Sequence, residues 1–308
     1  MFRTVAGALM ALAMFGGAAA SAQARPDADG FGVLVMAHGG GAAWNGEVEA
    51  LLAPLKDDYP LELAFGMADP GSLQAAVDRL EARGVRRIGV VRLFISGESW
   101  FERTEQILGL APGAPPRPAA AAHAGHGGHA GHDMSLWRID TDSAFALSAE
   151  GLADAPEMDA VLVERAGALS RDPTRESVLV LAHGPGDDAE NARWLARIDA
   201  RAKAVRAAAP YREVEVETLR EDWPEKRSEA ETRIRAFVER AGADGGRAIV
   251  IPYRVAGFGP YGRVLDGLAY ASDGQGLVPS VQVEHWVRRQ ADTLRAGDFR
   301  SPLAIETP

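Results

Sequence analysis

Apolar positions along the chain follow two rhythms. Unbroken apolar runs of strand length alternate with stretches in which apolar residues recur every three or four positions, the spacing of one helix face. The pattern occurs twice. Residues 33–39 read Val-Leu-Val-Met-Ala-His-Gly and residues 178–184 read Val-Leu-Val-Leu-Ala-His-Gly. Each is expected to be a buried strand that ends in His-Gly and leads through a loop to a helix. In the second copy Trp194, Leu195, Ile198, Ala202 and Val205 predict that helix over 188–208. Short strands are expected next at 61–66 and 213–219, then helices at 71–83 and 224–241, closed by Gly84 and Gly242. Third strands follow at 87–95 and 247–255, each running into a glycine, Gly97 or Gly257. A helix near 100–110, a strand at 143–148 and a helix at 157–170 complete the first half, and a further helix, strand and helix are expected in the second.

Strands alternating with amphipathic helices imply parallel sheets covered on both faces. The expected fold is therefore α/β, with two tandem halves, each a mostly parallel sheet flanked by helices, related by a pseudo-two-fold axis. Asp172-Pro173 breaks the last helix of the first half, which sets the halves at 25–172 and 173–308. Only the first half carries an insertion, residues 111–134, rich in Ala, Pro, Gly and His, whose composition cannot build a packed core. Residues 1–24 read as a secretory leader: Arg3, an apolar run from Val5 to Ala20, and Ser-Ala-Gln-Ala before the expected cut after Ala24. The expectation is a periplasmic or secreted protein with no stable membrane insertion after cleavage, because no later segment is apolar for 18 residues.

Composition narrows the chemistry. With 33 basic and 43 acidic residues the net charge is −10, which argues against nucleic acid as a partner. The chain has no cysteine, so disulfides, thiol catalysis and thiolate metal sites are excluded, and a metal would need His, Asp, Glu or backbone oxygen. Gly39-Gly40-Gly41 lacks the Lys-Ser/Thr ending of a phosphate loop, and no Gly-x-Ser-x-Gly elbow occurs.

Ligands of open parallel sheets bind at the carboxyl ends of the strands, where His38 and His183 both stand. The same residue at the same place in two diverged halves makes them candidate metal ligands and proton acceptors. Glu98, beside Gly97, and Glu221, beyond the second strand of the second half, are candidate oxygen ligands. Trp100, Trp223, Phe258 and Tyr261 are expected on the same rim, where aromatic rings could stack on a planar ligand or seal the contact between halves. His123, His126, His129 and His132 recur at every third residue of the insertion, a spacing suited to collecting divalent metal ions.

The strands ending Ala-His-Gly, residues 61–73 (Leu-Glu-Leu-Ala-Phe-Gly-Met-Ala-Asp-Pro-Gly-Ser-Leu) and residues 84–97 (Gly-Val-Arg-Arg-Ile-Gly-Val-Val-Arg-Leu-Phe-Ile-Ser-Gly) resemble the sirohydrochlorin cobaltochelatases, ATP-independent class II chelatases. The stretch from Ser177 to about Arg295 is more faintly similar to them. The resemblance implies two α/β halves with a cleft between them. It implies insertion of a divalent metal, Co²⁺ with Ni²⁺ or Fe²⁺ as alternatives, into a tetrapyrrole such as sirohydrochlorin. The family's strand-end histidine falls on His38 and His183, and its glutamate on Met67 in the first half and Glu221 in the second. Its second histidine is absent from both copies, which hold Glu98-Ser99 and Phe258-Gly259 there. That departure leaves open a non-catalytic periplasmic metal- or corrinoid-binding protein on the same fold.

Overall fold

The computed structural model describes residues 30–119 and 135–304. The leader and the four insertion histidines lie outside the described residues.

The first half contains β1 (Phe31–Ala37), α1 (Ala42–Leu52), β2 (Leu61–Phe65), α2 (Pro70–Ala82), β3 (Arg87–Leu93), α3 (Phe101–Ile107), β4 (Ala144–Leu147) and α4 (Glu157–Leu169). The second contains β5 (Glu176–Ala182), α5 (Asp188–Ala208), β6 (Glu213–Thr218), α6 (Pro224–Gly242), β7 (Arg247–Pro252), α7 (Tyr261–Val264), β8 (Tyr270–Ala271) and α8 (Val281–Arg295). All strands are parallel, in the order β2-β1-β3-β4 and β6-β5-β7-β8. The fold is thus the expected α/β arrangement of two sheets flanked by helices. The elements after β7 are shorter than the pattern suggests: α7 has four residues and β8 two. Gly257, Gly259, Pro260 and Gly267 punctuate that stretch and leave no run long enough for a full helix.

Every side chain of β1 and β5 is buried, and alternate residues serve two layers. Leu34 and Met36 face α2 and α3, while Leu179 and Leu181 face α6, in two separate outer cores. Val33, Val35, Val178 and Val180 share one continuous inner core with α1, α4, α5 and α8. The helices of that inner layer are exchanged. The last helix of the second half, α8, packs on β3 of the first, and the last helix of the first half, α4, packs on α5 and β7 of the second. Tyr253 after β7 donates its hydroxyl to the Leu152 carbonyl across this seam at 2.8 Å. Tyr59 in turn donates to Asp292 of α8 at 2.5 Å. Each half therefore completes the other, and the strand ends of both sheets meet at one cleft. Among the described residues no helix is long and apolar enough to cross a membrane.

Candidate functional site

At the ends of β1 and β5 the chain must turn sharply beside a neighbouring strand. Gly39 and Gly184 make that turn with φ of +79° and +74°, where only glycine sits without strain. A Cβ on Gly184 would lie 2.6 Å from Thr218 Cβ, and one on Gly39 3.1 Å from Phe65 Cβ. The residue before each glycine, His38 or His183, is thereby delivered to the same cleft, whose volume of about 870 Å³ is at the large end for small-molecule sites.

The two imidazoles are not equivalent. His38 is exposed, and its Nδ1 lies 2.8 Å from the Gly39 carbonyl. A carbonyl only accepts, so Nδ1 is the donor in that contact. His183 is half-buried, edge-on to Trp194 with ring centres 4.8 Å apart. Desolvation is the largest cause that lowers its pKa from 6.5 to about 4; the Arg254 charge comes next and Asp222 opposes. It is neutral at physiological pH, the form that coordinates a metal ion. His38 also contributes to that lowering, so the two rings are near enough to feel each other's charge.

Both expected oxygen ligands line the cleft, but arginines hold them. Glu98 meets Arg193 of α5 at 2.6 Å and Arg197 at 3.1 Å, and the Arg193 hydrogen bond is the chief reason its pKa lies below the ordinary carboxylate range. Glu221 accepts two hydrogen bonds from Arg254 Nη1, at 2.6 and 2.7 Å. Among the described residues no group of three His, Asp or Glu side chains is gathered to hold a metal ion. The expected set of His38, His183, Glu98 and Glu221 is therefore met as two imidazoles plus two arginine-bound carboxylates. The reason is tertiary, since long side chains from α5 and from the end of β7 reach the acids across the fold.

Two buried arginines shape the surrounding loops. Arg92, 1% exposed, donates to the carbonyls of Gly97 at 2.5 Å, Ser99 at 2.8 Å and Ser148 at 2.7 Å, and lies 4.5 Å from the Phe101 ring centre. Burial lowers its pKa to about 10, so the guanidinium stays charged at neutral pH. In the second half Arg220 donates to Pro185 and Gly186 carbonyls and to Asp188, fixing the loop that follows His183. Trp100 lies on the loop that Arg92 holds and is left-handed with φ of +59°, a conformation that bulky residues rarely adopt.

The aromatic wall differs from expectation in part. Trp100 and Trp223 line the cleft, joined by Trp44, Trp194 and Phe94. Phe258 and Tyr261 instead pack with Tyr270 in the outer core of the second sheet. The chain turns at Gly257 and Gly259, both with positive φ, and carries those two rings behind the sheet rather than into the cleft. Sequence reasoning missed Arg254. Its signal was a single charge inside Ile-Val-Ile-Pro-Tyr-Arg-Val, at the place where the first half has Phe94.

Paired four-stranded parallel sheets with helices exchanged about a cleft place this chain in the fold class of the chelatases. Among solved structures, SirB from Bacillus subtilis with Fe³⁺ superposes with a TM-score of 0.59 at 15% identity, over 88% of this chain and 99% of that one. The sirohydrochlorin chelatase SirB from Bacillus subtilis subspecies spizizenii, in complex with cobalt, gives 0.54 at 13%, over 85% and 96%. CbiX, described as the terminal enzyme for biosynthesis of siroheme in denitrifying bacteria, gives 0.50 at 19%, over 87% and 99%. At these identities the likeness is one of fold. No family model matches the chain, and no curated protein matches it.

Proposed function

We propose that this protein inserts a divalent metal ion, with Co²⁺ the first candidate, into a tetrapyrrole such as sirohydrochlorin, without ATP. The observation that carries this reading is a pair of strand-end imidazoles, one from each half, in a single aromatic-walled cleft of about 870 Å³. His183, neutral at working pH, would hold the incoming ion as substrate, and the bound macrocycle would supply the donors that the protein lacks. His38, standing in the same cleft, would accept a pyrrole proton. The ion replaces two N–H protons, one taken by His38 and the other released to water in the open cleft, so the charge balances without oxidant or reductant. Trp44, Trp100 and Trp223 offer faces against which a planar ring can lie. The fold shared with chelatases supports the reading.

A second reading is favoured by one observation: Glu98 and Glu221 are bound by arginines, and among the described residues no group of three His, Asp or Glu side chains is gathered to hold a metal ion. Two imidazoles suffice to hold a metal ion or a corrinoid's cobalt without turnover. The deciding experiment follows sirohydrochlorin absorbance with Co²⁺ and the mature chain. Conversion faster than the spontaneous rate, lost in H38A or H183A, supports the chelatase. Saturable binding without acceleration supports the binding protein, and neither result would refute both.

We also propose that export to the periplasm follows from the leader sequence, and that His123, His126, His129 and His132 collect metal for the cleft. Deletion of residues 120–134 should then lower the number of ions bound per chain in equilibrium dialysis while leaving cleft binding intact. An unchanged count would refute the collecting role.

A further inference from the structure

The cleft is lined by five carboxylates, Glu98, Asp187, Glu190, Glu221 and Asp222, and among its described lining residues Arg254 is the sole lysine or arginine. Arg254 stands just past β7, where the register of the two sheets places Phe94 in the first half, so this charge belongs to one side of the cleft alone. Its attachment is incomplete. Both Glu221 oxygens are served by one nitrogen, Nη1, at 2.7 and 2.6 Å, and the buried Nε makes no hydrogen bond. A guanidinium binds a carboxylate best side-on, through two parallel N–H donors, and the resting pair leaves that mode unused. Space for the group is built in: a Cβ on Gly259 would lie 2.6 Å from Arg254 Cζ, and the Tyr261 ring centre lies 5.6 Å away.

Resting on the tetrapyrrole reading above, we infer that Arg254 is the receptor for a peripheral carboxylate of the macrocycle, which takes the place of Glu221 on the guanidinium and releases Glu221 into the cleft. The exchange makes and breaks ion pairs only and moves no electron or proton. It selects macrocycles that carry ionised side chains and sets which edge of the ring points toward the second half. Asp187, Glu190 and Asp222 make the rest of that rim unfavourable to anions, so the preference depends on this one cation. Release of Glu221 would also place an oxygen donor in the cleft only when the macrocycle is there.

The test measures quenching of the cleft tryptophans by an octacarboxylate porphyrin and by its uncharged octa-amide, in the full mature chain. The wild type should bind the acid more tightly than the amide. R254M should weaken the acid by about tenfold to a hundredfold, the range of a charge-assisted pair, and leave the amide unchanged. E221Q, which frees the guanidinium, should tighten the acid more than D222N, which removes one rim charge of the same cleft without freeing it; a merely structural ion pair gives the two variants the same gain. Should R254M fail to fold, the excess of the E221Q effect over that of D222N decides. Equal wild-type binding of acid and amide, equal losses in R254M, or an E221Q gain no larger than that of D222N would each overturn the inference while the tetrapyrrole reading stands. Failure of either porphyrin to bind the wild type would overturn both.

Discussion

Protonation of His183 should be resisted far below the pH at which an ordinary histidine charges. Its pKa is lowered from 6.5 to about 4, first by burial and then by Arg254. Between these values the unfolded chain takes up a proton that the folded chain refuses, so folding stability falls as pH drops from about 6.5 to about 4 and is unaffected by this group above that window. At about 1.4 kcal/mol per tenfold, the full shift corresponds to about 3 kcal/mol. Water reaching the ring from the cleft screens part of it, which sets the expected loss at about 1–3 kcal/mol. Urea unfolding of the wild type and of H183Q at several pH values isolates this contribution, because carboxylates common to both cancel in the difference. The two stabilities should converge as pH falls through the window. Parallel curves, or an NMR titration of the His183 ring with its midpoint near 6.5, would refute the reasoning. The same shift has a functional consequence. At pH 5 a ring titrating near 4 is about 90% neutral, against about 3% for an ordinary histidine. Co²⁺ binding by H38A, which retains His183, should therefore persist at that pH.

Two further substitutions test the scaffold around the site. Gly184→Ala puts a side chain at φ +74° and 2.6 Å from Thr218 Cβ; left-handed backbone and overpacking together should cost about 2–5 kcal/mol. Gly41→Ala, which meets nothing within 4 Å, is the matched control, and equal melting temperatures for the two variants would refute the argument. Tyr253→Phe removes the hydroxyl that reaches the Leu152 carbonyl between the halves and leaves that carbonyl the Ala155 N–H, at about 1 kcal/mol. A chemical unfolding curve superimposable on the wild type would show that this bond does not help to hold the seam.

What the chain determined by itself is local and repetitive. Buried strands must be apolar on both faces, so Val-Leu-Val-Met-Ala and Val-Leu-Val-Leu-Ala announced β1 and β5, and the His-Gly after each announced the cleft. The helix α5 was legible to the residue, because Trp194, Ile198, Ala202 and Val205 all serve the one inner core. Tertiary structure decided what those elements meet. No local signal says that α8 covers the first sheet and α4 the second, since an apolar helix face is satisfied equally by either. Nor does Glu98 reveal in sequence that Arg193, 95 residues onward, will hold it, or Glu221 that Arg254 will. Aromatic residues near strand ends were divided in the same way: Trp100 and Trp223 line the cleft, while Phe258 and Tyr261 pack in the outer core. Periodicity reports which side of an element is apolar; only the packed fold determines which charge stands opposite which, and that assignment separates a free carboxylate ligand from one arm of an ion pair.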